Sequence, residues 1–156
     1  AGVIIGTDCV TENNVMDIVG ELRIAGASQK QLTRDERAMP ASKILEMVTV
    51  DAAEALGMAG KLGELTPGAL ADVVMLDFDG LFAYPNYSLL DNIVYCLNGR
   101  DVHTVIADGE VVVADHKLLK VDEAALVQEV QARGLALVKR AVEKEADLAW
   151  LWQGRG

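Results

Sequence analysis

The chain opens with a run of apolar, largely β-branched residues followed by a polar stretch. Residues 1–6 (AGVIIG) predict a buried parallel strand, because strands covered on both faces are continuously apolar. Residues 7–13 are polar and predict a loop. A strand without a neighbour leaves its backbone hydrogen-bonding groups unsatisfied. We therefore expect the strands that pair with residues 1–6 to lie in another chain or in a segment absent from this sequence.

Apolar residues then recur at helical spacing, which predicts three helices in the first part of the chain. The first spans residues 15–31, and Asn14 is placed to cap its free N–H groups. Pro40 suits the first turn of a second helix, and a third, short helix spans residues 50–56. Gly57 is placed to end that helix in the left-handed conformation.

The second half of the chain alternates between strand and helix signals. Residues 71–76 (ADVVML) predict a strand by their β-branched content. Residues 89–97 fit either a helix or a strand, and a short helix is the favoured interpretation. Two valine-rich runs, residues 102–107 and 110–114, flank Asp108-Gly109. This dipeptide predicts a tight hairpin, because a type I′ turn needs positive φ at both central positions.

A long amphipathic helix is predicted from residue 122 to residue 144. The apolar residues that share its broad face are Leu126, Val130, Leu137, Val138 and Val142. Gly134 interrupts this helix at a cost of about 1 kcal/mol relative to alanine. Trp150 and Trp152 follow it, and the sequence leaves open whether they are buried against a partner or free.

Charge and composition narrow the classes of function. The 156 residues carry 14 basic and 24 acidic side chains, a formal net charge of −10. Such a charge repels nucleic acid and opposes binding to anionic membranes. No apolar run approaches the roughly 20 residues of a spanning helix, and the N-terminus lacks a signal-peptide pattern. We expect a cytoplasmic protein in which Cys9 and Cys96 are free thiols, in preference to a disulfide.

The strongest local candidate for chemistry is Gly6-Thr7-Asp8, at the end of the predicted opening strand. Open α/β sheets and barrels bind ligands at the C-terminal ends of their strands. An aspartate just past such an end is well placed to bind a metal or accept a proton. The tripeptide alone is more typical of an aspartate that caps a turn or a helix.

Four longer segments form a pattern along the chain. They are residues 6–18 (GTDCVTENNVMDI) with 21–25 (ELRIA), residues 40–57 (PASKILEMVTVDAAEALG), residues 62–77 (LGELTPGALADVVMLD) and residues 102–113. Together they resemble the amidohydrolase superfamily, in particular its branch of S-adenosylhomocysteine and methylthioadenosine deaminases, guanine deaminase-like enzymes and triazine hydrolases. The first segment is similar to the eighth-strand segment of that family and the second to the helical pair that follows. The third is similar to the signature G-x-L-x-x-G-x-x-A-D-x-V-x-x-D, and the fourth to a late hairpin.

This resemblance covers residues 3–130 in the family's order and implies an α/β fold. Residues 1–60 would form the last strand and helix of a TIM-like (β/α)8 barrel, with linking helices. Residues 61–121 would form the C-terminal part of a small β-sandwich, and residues 122–156 a long helix and a tail. A complete barrel takes about 250 residues, so the first seven strands would lie outside this chain.

The resemblance also implies roles for the loop after the opening strand. Asp8 matches the aspartate that ends the last barrel strand, which binds Zn²⁺ or Fe²⁺ and shuttles a proton from metal-bound water. Cys9, Glu12 and Asn13 match the loop beside the substrate. In this branch of the family the substrate is a small aminated N-heterocycle, a purine, nucleoside or triazine, from which ammonia or chloride leaves.

The implied metal site is incomplete in this chain. The family uses an H-x-H motif and further histidines, and a catalytic zinc takes about three protein ligands. Neither histidine here, His103 nor His116, lies in H-x-H, and both are expected to be surface or sheet residues. Zn²⁺ is the default metal of the parent protein and Fe²⁺ the alternative, and the chain alone is expected to bind neither. The other polar residues of the matched segments are expected to be structural: Glu21, Arg23, Asp72 and Asp77.

Three hypotheses follow. In the first, the chain is the C-terminal fragment of an amidohydrolase and has no hydrolytic activity alone. In the second, a partner polypeptide supplies the N-terminal barrel segment and its histidines. In the third, the chain is a non-catalytic α/β module that self-associates as a homo-oligomer to cover its apolar surface.

Overall fold

The computed structural model describes residues 2–145, and the chain divides into two compact units. The first unit is Ala1–Lys117 and the second is Leu118–Gly156. The first unit contains four α-helices and most of a small antiparallel sheet, and the second contains a long helix. This arrangement confirms a mixed α/β fold. The predicted division at residue 60 stays a prediction.

Four helices belong to the first unit: α1 (Ile18–Thr33), α2 (Ala41–Val48), α3 (Val50–Ala55) and α4 (Leu89–Tyr95). Pro40 immediately precedes α2, and its fixed φ leads the chain into the first turn. Gly57 follows α3 with φ of 70°, as the sequence predicted. The helical interpretation of residues 89–97 is confirmed by α4.

The first helix begins three residues later than predicted. Asp17, rather than Asn14, precedes α1, and its Oδ1 accepts hydrogen bonds from the backbone N–H groups of Val19 (3.0 Å) and Gly20 (3.2 Å). Two good capping residues lie close together here, and the one whose carboxylate reaches these N–H groups sets the start of the helix.

The core of the first unit lies where α1, α2 and α4 meet, and we call this region the three-helix cluster. Its buried residues are Val19, Leu22, Ala41, Ile44, Ala83, Val94 and Leu97. The side chains of Ile44 and Val94 are fully buried. Gly26 lies at the helix contact, where an added Cβ would be 2.7 Å from both Ile44 Cδ1 and Tyr95 Oη.

The predicted opening strand finds no pairing partner among the described residues, so it stays a prediction. Residues 2–9 belong to no strand, and the amide of Ile5 bonds only weakly to the Met47 carbonyl, at 3.5 Å. Val3 is 72% exposed and Ile4 43%. A strand is defined by the neighbour that shares its hydrogen bonds, and no described residue supplies that neighbour.

The sheet has the order β1-β2-β3-β4, formed by Val73–Leu76, Val102–Ala107, Glu110–Ala114 and Lys117–Leu118. The pairs β1–β2 and β2–β3 are antiparallel. Asp108 and Gly109 have φ of 49° and 78°, which confirms the predicted hairpin and its turn. Strand β1 starts at Val73 rather than residue 71, and Asp72 just before it accepts the amide of Asp108 at Oδ1 (2.6 Å).

The second unit consists mainly of α5 (Glu123–Lys144), close to the predicted bounds. Asp122 caps this helix by accepting from the amide of Ala125 at 3.0 Å. None of its described residues is buried. Trp150 and Trp152 lie outside the described residues. Between residues 2 and 145, no helix has the length and apolar character needed to cross a membrane.

Candidate functional site

Asp8 follows the opening segment and lies in the loop of residues 7–13, called the Asp8 loop below. Its backbone is left-handed, with φ of 57°. Its side chain is exposed, and Oδ1 accepts a hydrogen bond from the amide of Cys9 at 2.7 Å. No other bond to this carboxylate is found within residues 2–145, so Oδ2 can bind a further group.

Asp8 lines a shallow concavity between the loop and the start of α1. The lining residues are Gly6, Thr7, Asp8, Glu12, Asn13, Asn14, Val15, Glu21 and Ile24. The structure therefore brings together Asp8, Glu12 and Asn13, three of the residues singled out from the sequence. The fourth, Cys9, lies in the same loop but is not among these lining residues.

Internal hydrogen bonds give the Asp8 loop its shape. The carbonyl of Cys9 accepts from the amides of Glu12 (3.1 Å) and Asn13 (2.9 Å). The side chain of Asn13 donates through Nδ2 to Glu21 Oε1 (2.6 Å) and accepts at Oδ1 from the amide of Val15 (3.2 Å). The half-buried Asn13 thus ties the loop to α1.

Cys9 is exposed and Cys96 is half-buried, and both are free cysteines, in agreement with the prediction. Cys9 Sγ lies 2.8 Å from the hydroxyl oxygen of Thr11. This contact, together with the nearby amides of Glu12 and Thr11, lowers the pKa of the Cys9 thiol. A larger thiolate fraction makes a cysteine more nucleophilic at neutral pH.

Asp17 fixes the start of α1, the helix that bears Glu21, and it was not among the predicted site residues. Besides capping α1 through Oδ1, it accepts the amide of Gly99 at Oδ2 (2.9 Å). A Cβ on Gly99 would lie 2.9 Å from Asp17 Oδ1, so the glycine permits this contact. An aspartate directly before an apolar-periodic segment was the available signal, because such residues are preferred caps.

The two histidines lie at one end of the sheet. His103 Nε2 is 3.2 Å from Asp115 Oδ1, and His116 Nε2 is 3.5 Å from Asp77 Oδ2. The two imidazole rings meet edge to face, with centroids 5.2 Å apart. The amide of Asp79 and then both histidines lower the pKa of Asp77. These contacts hold β1, β2 and the turn after β3 together.

The residues needed for a metal centre are only partly present. Within residues 2–145, no group of three or more His, Cys, Asp or Glu side chains is placed to share a metal ion. Asp8 offers one carboxylate, whereas a catalytic zinc takes about three protein ligands. The described residues therefore do not form a metal site by themselves.

Comparison with known proteins settles the family. The sequence model of the amidohydrolase family matches residues 1–112. The chain belongs to the amidohydrolase family. The match includes the Asp8 loop, the three-helix cluster and the β2–β3 turn.

Curated amidohydrolases are similar over most of this chain. A 5-methylthioadenosine/S-adenosylhomocysteine deaminase of Desulfitobacterium hafniense is 37% identical over 139 residues, which is 86% of this chain. The same enzyme of Pelotomaculum thermopropionicum is 38% identical over 140 residues, or 90% of this chain. In both comparisons the chain spans about a third, 32%, of the relative's length.

Solved amidohydrolase structures share the fold. A zinc-bound adenosine deaminase of Xanthomonas campestris superposes with a TM-score of 0.79 and 30% identity, over 83% of this chain and 29% of that one. A zinc complex of the atrazine chlorohydrolase of Arthrobacter aurescens gives a TM-score of 0.64 at 24% identity, over 73% and 25% of the two chains. The second likeness shows the fold alone.

Proposed function

We propose that this amidohydrolase chain supplies the last strand and helix of a (β/α)8 barrel, the linking helices and part of a β-sandwich to a metal-dependent enzyme. That enzyme would hydrolytically deaminate or dechlorinate a small aminated N-heterocycle. The observation that carries the proposal is the geometry of Asp8. It lies in a concavity with one carboxylate oxygen held by the Cys9 amide and the other open to a ligand.

The remaining metal ligands would come from outside these 156 residues. One carboxylate cannot hold a catalytic metal, so the proposed partner is an N-terminal barrel segment, on the same or a separate polypeptide, that carries the histidines. Zinc is the proposed metal, because the similar adenosine deaminase of Xanthomonas campestris contains it. When bound, such a metal supplies a water of lowered pKa. Asp8 would bind this metal through one carboxylate oxygen and hold a proton at the other.

Exposed apolar side chains beside the site support the proposal that another segment covers this surface. Val15, Met16 and Ile24 are 65%, 56% and 57% exposed, on or next to the start of α1. Clustered apolar surface of this kind is normally buried against another surface. A barrel segment that pairs with residues 2–6 would cover it and also satisfy the backbone groups of that segment.

The proposed substrate is an adenine-type nucleoside, since the similar curated proteins are named for 5-methylthioadenosine and S-adenosylhomocysteine. Cys9, Glu12 and Asn13 are proposed neighbours of the substrate. Of these, Glu12 lines the concavity without a side-chain bond to another described residue, so it is the proposed direct contact.

The test joins this chain to an upstream segment that contains H-x-H and measures zinc content and deamination of 5′-methylthioadenosine and S-adenosylhomocysteine. Asp8→Asn should lower kcat/KM at least about 100-fold, because loss of even an outer partner of a metal ligand costs 10- to 100-fold. Glu36→Gln, an exposed acid in the α1–α2 connector, is the matched control and should change little. The chain alone should be inactive with added Zn²⁺. Deamination by the chain alone, or full activity of Asp8→Asn, would contradict the proposal.

The alternative is a non-catalytic module that self-associates. Its support is the exposed apolar face of α5, where Val127, Val130 and Leu137 are 67%, 60% and 60% exposed. Light scattering after size exclusion separates the two proposals. A stable homo-oligomer with no affinity for an upstream barrel segment would favour the module, and a monomer would count against it.

A further inference from the structure

We propose that Glu21 and Asn13 form a strut that fixes the Asp8 loop and thereby aims the Asp8 carboxylate. Both act as positioning residues and neither as a catalytic group. The inference rests on the proposed function for what the carboxylate does, but the strut itself is defined by contacts in this chain. It gives Asn13 a role different from direct contact with substrate.

Three hydrogen bonds connect α1 to the carboxylate of Asp8. Glu21 Oε1 accepts from Asn13 Nδ2 at 2.6 Å, and the amide of Asn13 donates to the Cys9 carbonyl at 2.9 Å. The amide of Cys9 then donates to Asp8 Oδ1 at 2.7 Å. Movement of Asn13 away from Glu21 would therefore shift Cys9, whose amide binds Asp8 Oδ1 and so sets the orientation of the carboxylate.

The helical end of the strut is anchored in the three-helix cluster. Glu21 lies in the first turn of α1, and its neighbour Leu22 is only 3% exposed. Asp17 closes the same turn and also bonds to the amide of Gly99, so that two segments hold it. A charged acceptor on such a turn is a firm attachment point, because bonds to ionised groups are stronger than neutral ones.

The loop end of the strut needs this attachment. Asp8 has the left-handed φ of 57°, which is less favourable than negative φ for a residue with a Cβ, so contacts within the loop help to keep it. Asn13 uses its amide nitrogen on Glu21 and its amide oxygen on Val15, so both polar ends of the side chain are committed to the loop. The geometry therefore assigns Asn13 to holding the loop.

Amide hydrogen exchange in the full chain tests the strut without any metal. The reporters are the amides of Cys9, Asn13 and Val15, whose partners Glu21→Ala leaves in place. We expect Glu21→Ala to speed their exchange about fivefold, the effect of losing one net hydrogen bond. Glu21→Gln keeps an acceptor oxygen and should stay near wild type. Asn14→Ala, which removes an exposed neighbouring side chain, is the matched control and should have no effect.

The amide of Ile44, which donates to the Pro40 carbonyl at 3.1 Å, reports on the core and should not change. If Glu21→Ala loosens this amide as well, Asn13→Ala removes the strut from the loop side, and the Cys9 amide decides the outcome. Exchange at Cys9 that stays at the wild-type rate in both alanine variants overturns the proposal.

A second measurement separates the strut from the proposed function. In the protein completed with its barrel segment, zinc affinity is measured by chelator competition. Glu21→Ala should bind zinc about 10- to 100-fold more weakly than Glu21→Gln. If Asp8→Asn loses zinc while the two Glu21 variants bind it equally, the strut proposal fails. If Asp8→Asn keeps zinc, the proposed function fails, and the exchange data alone decide whether the strut exists.

Discussion

The opening segment and the three-helix cluster contain the same kinds of apolar side chain, but the cluster buries them, whereas the opening segment packs Ile5 against the cluster and leaves Val3 and Ile4 exposed. Ile44 is fully buried between helices, whereas Ile4 is 43% exposed and Val3 72%. The difference lies in the neighbours, since helices satisfy their own backbone groups and an extended segment depends on another strand. Apolar composition therefore shows what a segment can bury, and the surrounding chain decides whether it does.

The largest expected difference in the free energy of unfolding is between alanine variants of two isoleucines. Ile44→Ala should lower the free energy of unfolding by about 3 kcal/mol, because it leaves a cavity in a packed core. Ile4→Ala should change it by less than about 0.5 kcal/mol, as for an ordinary surface substitution. Urea denaturation measures both. Similar losses in the two variants would show that the opening segment belongs to the core.

The next comparison uses two helical glycines. Gly26→Ala should destabilise the three-helix cluster by about 1–3 kcal/mol, because its Cβ would overlap Ile44 and Tyr95. Gly134→Ala has open space around it and should stabilise α5 by about 0.5–1 kcal/mol. Thermal denaturation follows the first variant and amide exchange within α5 the second. A stabilising Gly26→Ala would mean that the helices can move apart at little cost.

The third comparison tests which of two neighbouring residues, Asp17 or Asn14, caps α1. Asp17→Ala should cost about 1 kcal/mol, because two amides of α1 lose their acceptor. Asn14→Ala should cost almost nothing, since its side chain makes no bond to another described residue. Equal effects in urea denaturation would place the start of α1 at Asn14 instead.

The smallest expected effect is a pH dependence in the sheet. The pKa of Asp77 is lowered in the folded protein, so its charged form stabilises the fold at pH values above the ordinary range of an aspartate. That contribution is lost as the pH falls through the folded-state pKa. Wild type should therefore melt higher than Asp77→Asn at neutral pH, and the two melting temperatures should converge in acid. A gap that widens in acid would contradict the contacts with Asp79 and the histidines.

Local signals predicted local structure well. The Asp108-Gly109 hairpin matches the structure residue for residue, because two adjacent residues with positive φ determine it. The start of α1 was wrong by three residues, since Asn14 and Asp17 are both suitable caps and only the folded chain shows which one reaches the amides. The opening segment pairs with no described residue, so the strand predicted there stays a prediction.

The candidate site was predicted in part. Asp8, Glu12 and Asn13 line one concavity, as their shared loop suggested. The bond between Asn13 and Glu21 was not predicted, because it depends on how the loop folds back onto the first turn of α1. The double role of Asp17 likewise depends on Gly99, which is 82 residues away in sequence.

The left-handed backbone of Asp8 determines how its chemistry should be dissected. Asparagine tolerates this region of φ and ψ better than most residues, whereas alanine gains nothing there from a local hydrogen bond. An isosteric amide thus removes the charge while leaving the main-chain path intact. An alanine scan at this position would mix a conformational penalty with an electrostatic one and overstate the importance of the carboxylate.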